Sequence, residues 1–116
     1  MTEAEFTKTV VDMARALGWK VAKFNTARIQ RQDGRVYYAT PTGADGAGWP
    51  DLVCVKVLSD GKTVVLAVEL KVKGGKLSPS QKEWLELLSG VTGVVSFVWQ
   101  PDNWNDIEIV LKARGI

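Results

Sequence analysis

Apolar positions along the chain mark out its elements before any chemistry is considered. Phe6, Val10, Met13, Ala14 and Leu17 recur at helical spacing. Thr2 precedes them as a cap, with Glu5 three residues on completing a capping box, and Gly18 stops the helix. Residues 19–25 read as a strand. Residues 26–49 are polar and rich in glycine, with a short strand at 36–38; a loop of this length in a small domain is functional or mobile. Residues 51–58 and 63–71 are runs of Val and Leu around Ser59-Asp60-Gly61, the pattern of a β-hairpin. Both runs are apolar on both faces apart from Lys56 and the ends, which predicts a central position in a covered sheet. Ser78, Pro79 and Gln81 form a helix start as N-cap, N1 and N3, and the helix runs to about Ser89 and Gly90. Residues 94–99 read as another buried strand, and residues 104–114 as a final helix stopped by Gly115. The predicted order is α-β-(β)-β-β-α-β-α, an α/β fold in one domain spanning residues 1–116.

Composition narrows the chemistry mainly by what is missing. The chain has no histidine, which removes Ser-His-Asp and Cys-His catalysis and a histidine base. With one cysteine, Cys54, there is no internal disulfide and no zinc site of Cys and His; Cys54 sits in an apolar run and reads as a core residue. No apolar run is long enough to span a bilayer, so no membrane is expected, and the first residues do not read as a signal peptide. The net charge of +2 is small, but its distribution is not even. Lys20, Lys23, Arg28, Arg31 and Arg35 face one acid, Asp33; Lys71, Lys73, Lys76 and Lys82 follow with none between them; acids dominate from Glu83 onward. Two basic stretches suit phosphate binding, although scattered solvated side chains would give the same count.

The chemistry lies in Pro50-Asp51 and Glu69-Leu70-Lys71. Side chains alternate along a strand, so Glu69 and Lys71 share a face. Asp51 joins them only if the hairpin register opposes it to Glu69. A two-residue turn gives paired positions summing to 121 and sets Asp51 against Leu70; the three-residue loop Ser59-Asp60-Gly61 gives 120 and sets Asp51 against Glu69. That loop favours glycine in its last position, where Gly61 stands. Two adjacent carboxylates repel, and a divalent cation resolves the conflict; oxygen ligands suit magnesium. Such a cation polarises a phosphoryl group and activates water, and Lys71 supplies a fixed positive charge for the water or the phosphate. Together these predict phosphodiester cleavage.

Further residues are weaker candidates. Glu3 lies on the core-facing stripe of the first helix, where it either adds a third acid to the metal site or simply favours the helix N-terminus. Gln81 either contacts the phosphate or the attacking water, or only caps its helix. Lys73, Lys76 and Lys82, with Arg28 and Arg31, are candidates to hold the nucleic acid. Trp84 reads as core, and Trp49, Tyr37 and Tyr38 as core packing ahead of base stacking.

The chain resembles the VRR-NUC family within the PD-(D/E)xK nucleases. The resemblance runs through residues 2–6, Leu17-Gly18-Trp19, Gly48-Trp49-Pro50-Asp51-Leu52-Val53, Glu69-Leu70-Lys71, residues 77–84 and Trp99-Gln100-Pro101. It implies a restriction-endonuclease-like fold, a mixed central sheet flanked by helices. It implies Mg2+- or Mn2+-dependent DNA cleavage with Glu3, Asp51, Glu69, Lys71 and Gln81 at functional positions. Small stand-alone phage and bacterial members look like homodimers acting on branched DNA such as four-way junctions, in the cytoplasm of a bacterial or phage-infected cell. The Val-Arg-Arg string of the family name is absent, and residues 26–47 do not align simply, which leaves substrate choice open. The rival expectation is a non-catalytic DNA-binding module on the same fold.

Overall fold

The computed structural model describes residues 1–24, 27–39 and 43–113. Helix α1 (Glu3–Ala16) starts where Thr2 Oγ1 accepts from the Glu5 N–H at 3.1 Å. The expected capping box is only half formed, because Glu5 uses its carboxylate to accept from the Thr2 hydroxyl instead. Strand β1 (Lys20–Lys23) follows Gly18, whose φ of +93° reverses the chain.

Residues 27–39 hold more order than the sequence pattern predicts. Strands β2 (Ala27–Gln30) and β3 (Val36–Ala39) form a separate two-stranded sheet, so one strand was missed. Four residues are too short a run to show alternation. The signal was in the turn. In Gln32-Asp33-Gly34, the Arg31 N–H donates to Arg35 O, Gly34 has a φ of +87°, and Asp33 Oδ1 accepts from the Arg35 N–H. Ser59-Asp60-Gly61 repeats this pattern: the Leu58 N–H donates to Lys62 O, Gly61 has a φ of +86°, and Asp60 Oδ1 accepts from the Lys62 N–H. The side chains of Arg28, Tyr37 and Tyr38, and residues 114–116 with the expected stop at Gly115, lie outside the described residues.

Strands β4 (Leu52–Val57) and β5 (Thr63–Leu70) pair antiparallel with Leu52 opposite Val68 and Val57 opposite Thr63. Every pair from Leu52–Val68 to Val57–Thr63 sums to 120, the register of the three-residue loop. After α2 (Pro79–Ser89), β6 (Val94–Trp99) returns parallel to β5. A 3-10 turn (Pro101–Asn103) leads into α3 (Trp104–Lys112). The main sheet has the order β1-β4-β5-β6, mixed in direction.

Even-numbered residues of β4 and β5 and odd-numbered ones of β6 form one face. Leu52, Cys54, Leu66, Val68, Leu70 and Trp99 pack there with Phe6, Val10 and Ala14 of α1 and Ile107 and Leu111 of α3. Burial pushes the Cys54 thiol up to about 11, in keeping with a core residue. Helix α2 covers the other face, with Leu85 buried and its carbonyl accepting from Ser96 Oγ of β6 at 2.9 Å. Among the described residues no helix is long and apolar enough to cross a membrane.

Candidate active site

The carboxylates meet where the β4–β5 ladder ends. The closing bond from the Leu58 N–H to Lys62 O makes the even-numbered pairs hydrogen-bonded. The next such pair would be Pro50 with Leu70, and Pro50 has no N–H to give. The Leu70 N–H donates instead to Asp51 Oδ2 at 2.8 Å. Asp51 and Glu69, one register step beyond Leu52–Val68, form a pair of the non-hydrogen-bonded kind, in which side chains approach most closely.

Glu69 is the only buried charged residue among those described, 2% exposed. The Gln81 Nε2 donates to its Oε1 at 3.0 Å, and Lys71 Nζ lies 3.8 Å from the same oxygen. Its Oε2 is buried without a donor. Burial pushes the Glu69 carboxyl up to about 8; the neighbouring Asp51 charge and a hydrogen bond shared with Asp51 push the same way, Lys71 opposes, and Glu3 adds a smaller upward push. The lysine loses because it lies at ion-pair range rather than in direct hydrogen-bond contact, whereas burial acts on the whole group. Two charged carboxylates have no proton to share, so the pair is satisfied only by a proton on Glu69 or by a cation between them.

Gln81 serves two ends at once. Its Oε1 accepts from the Ser78 N–H at 2.8 Å, Ser78 Oγ accepts from the Gln81 N–H, and its amide still reaches Glu69. Capping and the contact to the site are therefore one arrangement. Lys71 is held by a bond from its N–H to Trp99 O and by Gly75, where a Cβ would come within 3.2 Å of the lysine Cδ.

Glu3 departs from its expected place. It is exposed on the first turn of α1, and it touches the pair only through its charge. The reason is its place in the first turn of α1, ahead of Phe6, the first residue of the helix that is buried. Among the described residues no three acids group closely enough to hold a metal. The oxygen donors brought together are Asp51 and Glu69, and the orphaned Glu69 Oε2 is the observation that fits a cation there. Lys73 and Lys76 are exposed on the connection from β5 to α2, and Lys82 on the first turn of α2. Arg28 and Arg31 belong to the β2–β3 hairpin, in the other sheet.

Two residues support the site: Gly48, whose close contact escaped sequence reasoning, and Trp49, which packs as expected. Gly48 (φ +88°) lies so close to α2 that a Cβ would come within 2.5 Å of Ser80 C and 2.8 Å of Gln81 N. Trp49 lies edge-on between Phe24 at 6.0 Å and Trp84 at 5.0 Å, and Trp84 Nε1 donates to Asp45 O. Together they press the strand entry that carries Asp51 onto the helix start that carries Gln81. A glycine before Trp-Pro-Asp was visible, but not what it would touch.

Residues 23–98 match the VRR-NUC domain family. The span includes Asp51, Glu69, Lys71 and Gln81 and leaves out Glu3 and α3. No curated protein and no solved structure matches the chain.

Proposed function

The chain belongs to the VRR-NUC family of nucleases, and from that premise we propose that it is a divalent-metal-dependent DNA endonuclease selective for branched DNA. The observation that carries the metal dependence is the buried Glu69 carboxylate, whose Oε2 faces no donor while Asp51 stands beside it. A magnesium or manganese ion held by Asp51 and Glu69 would supply the electrophile that polarises the phosphoryl group and lowers the pKa of its bound water. Glu3 stands as a more distant contributor of negative charge. Lys71 orients the nucleophile and offsets charge gathering on the phosphate. Gln81 keeps Glu69 Oε1 aimed by donating to it. Lys73, Lys76, Lys82, Arg28 and Arg31 hold the DNA backbone. The mixed sheet with helices on both faces supports a restriction-endonuclease-like fold.

The reading extends to a homodimer in the cytoplasm of a bacterial or phage-infected cell. A two-fold pair would present two sites to the two symmetric strands of a four-way junction. The open β6 edge supports pairing of copies: it carries no charged residue, whereas the opposite edge strand, β1, begins and ends in lysine.

The test is cleavage of four-way junction, flap and linear duplex DNA with magnesium, comparing the unaltered chain with Asp51→Ala and Lys71→Ala. Cleavage lost in both variants supports the assignment, and unchanged activity in both overturns it. Absence of magnesium or manganese binding at millimolar concentration would favour the non-catalytic DNA-binding module. A one-chain mass by light scattering, with cleavage retained, would remove the dimer.

A further inference from the structure

The carboxylate pair belongs to a longer row. The Phe24 N–H donates to Asp51 O at 3.0 Å, which extends the β1–β4 register one step beyond Lys23–Leu52 and sets Phe24 beside Asp51. One step beyond Leu52–Val68 the same register sets Asp51 beside Glu69, and Glu69 opposes Val98 across β5 and β6. Phe24, Asp51, Glu69 and Val98 thus cross four strands in one line on one face. The contacts of the Phe24 ring confirm the side: it meets Trp49, which meets Trp84 on α2, the helix covering that face.

Phe24 is 38% exposed, and Lys20 and Ala22, the earlier residues of β1 on the same face, are exposed as well. Both ends of the row are open, Phe24 at 38% and Val98 at 40%, with Glu69 buried between them; Phe24 is the aromatic end, next to Asp51. Lateral neighbours on a sheet stand about 5 Å apart. An aromatic ring held that close to a phosphodiester-binding pair is within reach of the base attached next to that phosphate. Trp49 meets the ring in an edge contact at 6.0 Å and limits its motion, so little order is lost when something stacks on it. The Trp49 indole N–H is buried without an acceptor, a cost that space-filling alone does not explain.

We propose that Phe24 is the stacking surface of a nucleobase subsite, holding one unstacked base of the DNA strand beside the phosphodiester presented to Asp51 and Glu69. This rests on the nuclease reading above. A base inside an intact duplex is stacked on both sides and has no face to offer; an unpaired base at a flap, bulge or branch does. Stacking on a protein ring is tolerant of base identity, so the subsite selects for loss of pairing rather than for sequence.

The experiment uses duplexes with one unpaired nucleotide next to the mapped cut and the same duplexes fully paired, cleaved with magnesium. Wild type should show a KM for unpaired DNA lower by about tenfold or more, the range expected of one stacked base. Phe24→Ala and Phe24→Leu should erase that difference by raising KM for unpaired DNA to the value for paired DNA, and Phe24→Tyr should keep it. The subsite is overturned if Phe24→Leu keeps the preference, since an apolar side chain would then suffice, or if Phe24→Ala keeps it or loses both substrates equally. If wild type cuts neither DNA with magnesium or manganese, the nuclease reading falls and the subsite with it; cutting with no effect of Phe24 overturns the subsite alone.

Discussion

The Gln81 side-chain amide donates to Glu69 Oε1 at 3.0 Å while its carbonyl caps its own helix through the Ser78 N–H at 2.8 Å. One residue thus ties the start of α2 to the buried acid of β5. Gln81→Ala should lower metal affinity and cleavage by about 10- to 100-fold, as loss of a partner behind a metal ligand does. It should also cost about 1 kcal/mol of stability through the lost cap. Ser78→Ala should bring the stability loss with a smaller loss of cleavage. Urea unfolding and cleavage assays on the two variants separate these effects.

Glu69, raised to about 8 chiefly by burial, makes the metal-free protein sensitive to pH. Its proton is held in the folded state and released in the unfolded state between the ordinary carboxyl range and about pH 8. The unfolded state binds fewer protons there, so stability should fall as pH rises through that window and level off above it. Glu69→Gln should flatten the slope. The check is urea unfolding in EDTA from pH 5 to 9, comparing the two proteins.

Asp51 is the second cause of that shift, so function and stability should part at this residue. Asp51→Asn keeps an oxygen for the Leu70 N–H and removes the charge facing Glu69. The variant should melt higher than wild type at pH 8 in EDTA, yet lose metal binding and cleavage by about a thousandfold or more. Thermal melting and calorimetric titration with manganese read both outcomes.

Gly48 and Gly61 share almost the same backbone angle, with φ of +88° and +86°, and differ in what surrounds them. A Cβ at Gly61 meets nothing within 4 Å, whereas one at Gly48 would come within 2.5 Å of Ser80 C. Gly61→Ala should cost about 1 kcal/mol, the left-handed penalty alone. Gly48→Ala should cost on the order of 3 kcal/mol and also reduce cleavage, because the helix bearing Gln81 must shift. Parallel denaturant titrations check the difference.

Much of the site was legible because its rules are local. Gly61 at the end of a three-residue turn set the pairing, and the period of two then placed Asp51, Glu69 and Lys71 on one face. Ser78, Pro79 and Gln81 announced the start of α2 in the same way. The β2–β3 hairpin carried an equivalent turn at Gln32-Asp33-Gly34, but its strands were too short for periodicity to show. Glu3 obeyed the helical period and still stayed exposed, because a first-turn residue can hold its stripe position beyond the edge of what the helix covers.

Which residues share a strand face could be read from turn length and side-chain alternation, because both act over a few neighbouring residues. That α2 lies over that face, that Gln81 reaches Glu69, that Gly48 and Trp49 press the two segments together, and that Phe24 ends the row came from packing in three dimensions. Those contacts join segments far apart in the chain. They depend on which side of the sheet the crossover from β5 to β6 takes, and that choice helps bury Glu69, the largest cause of its retained proton.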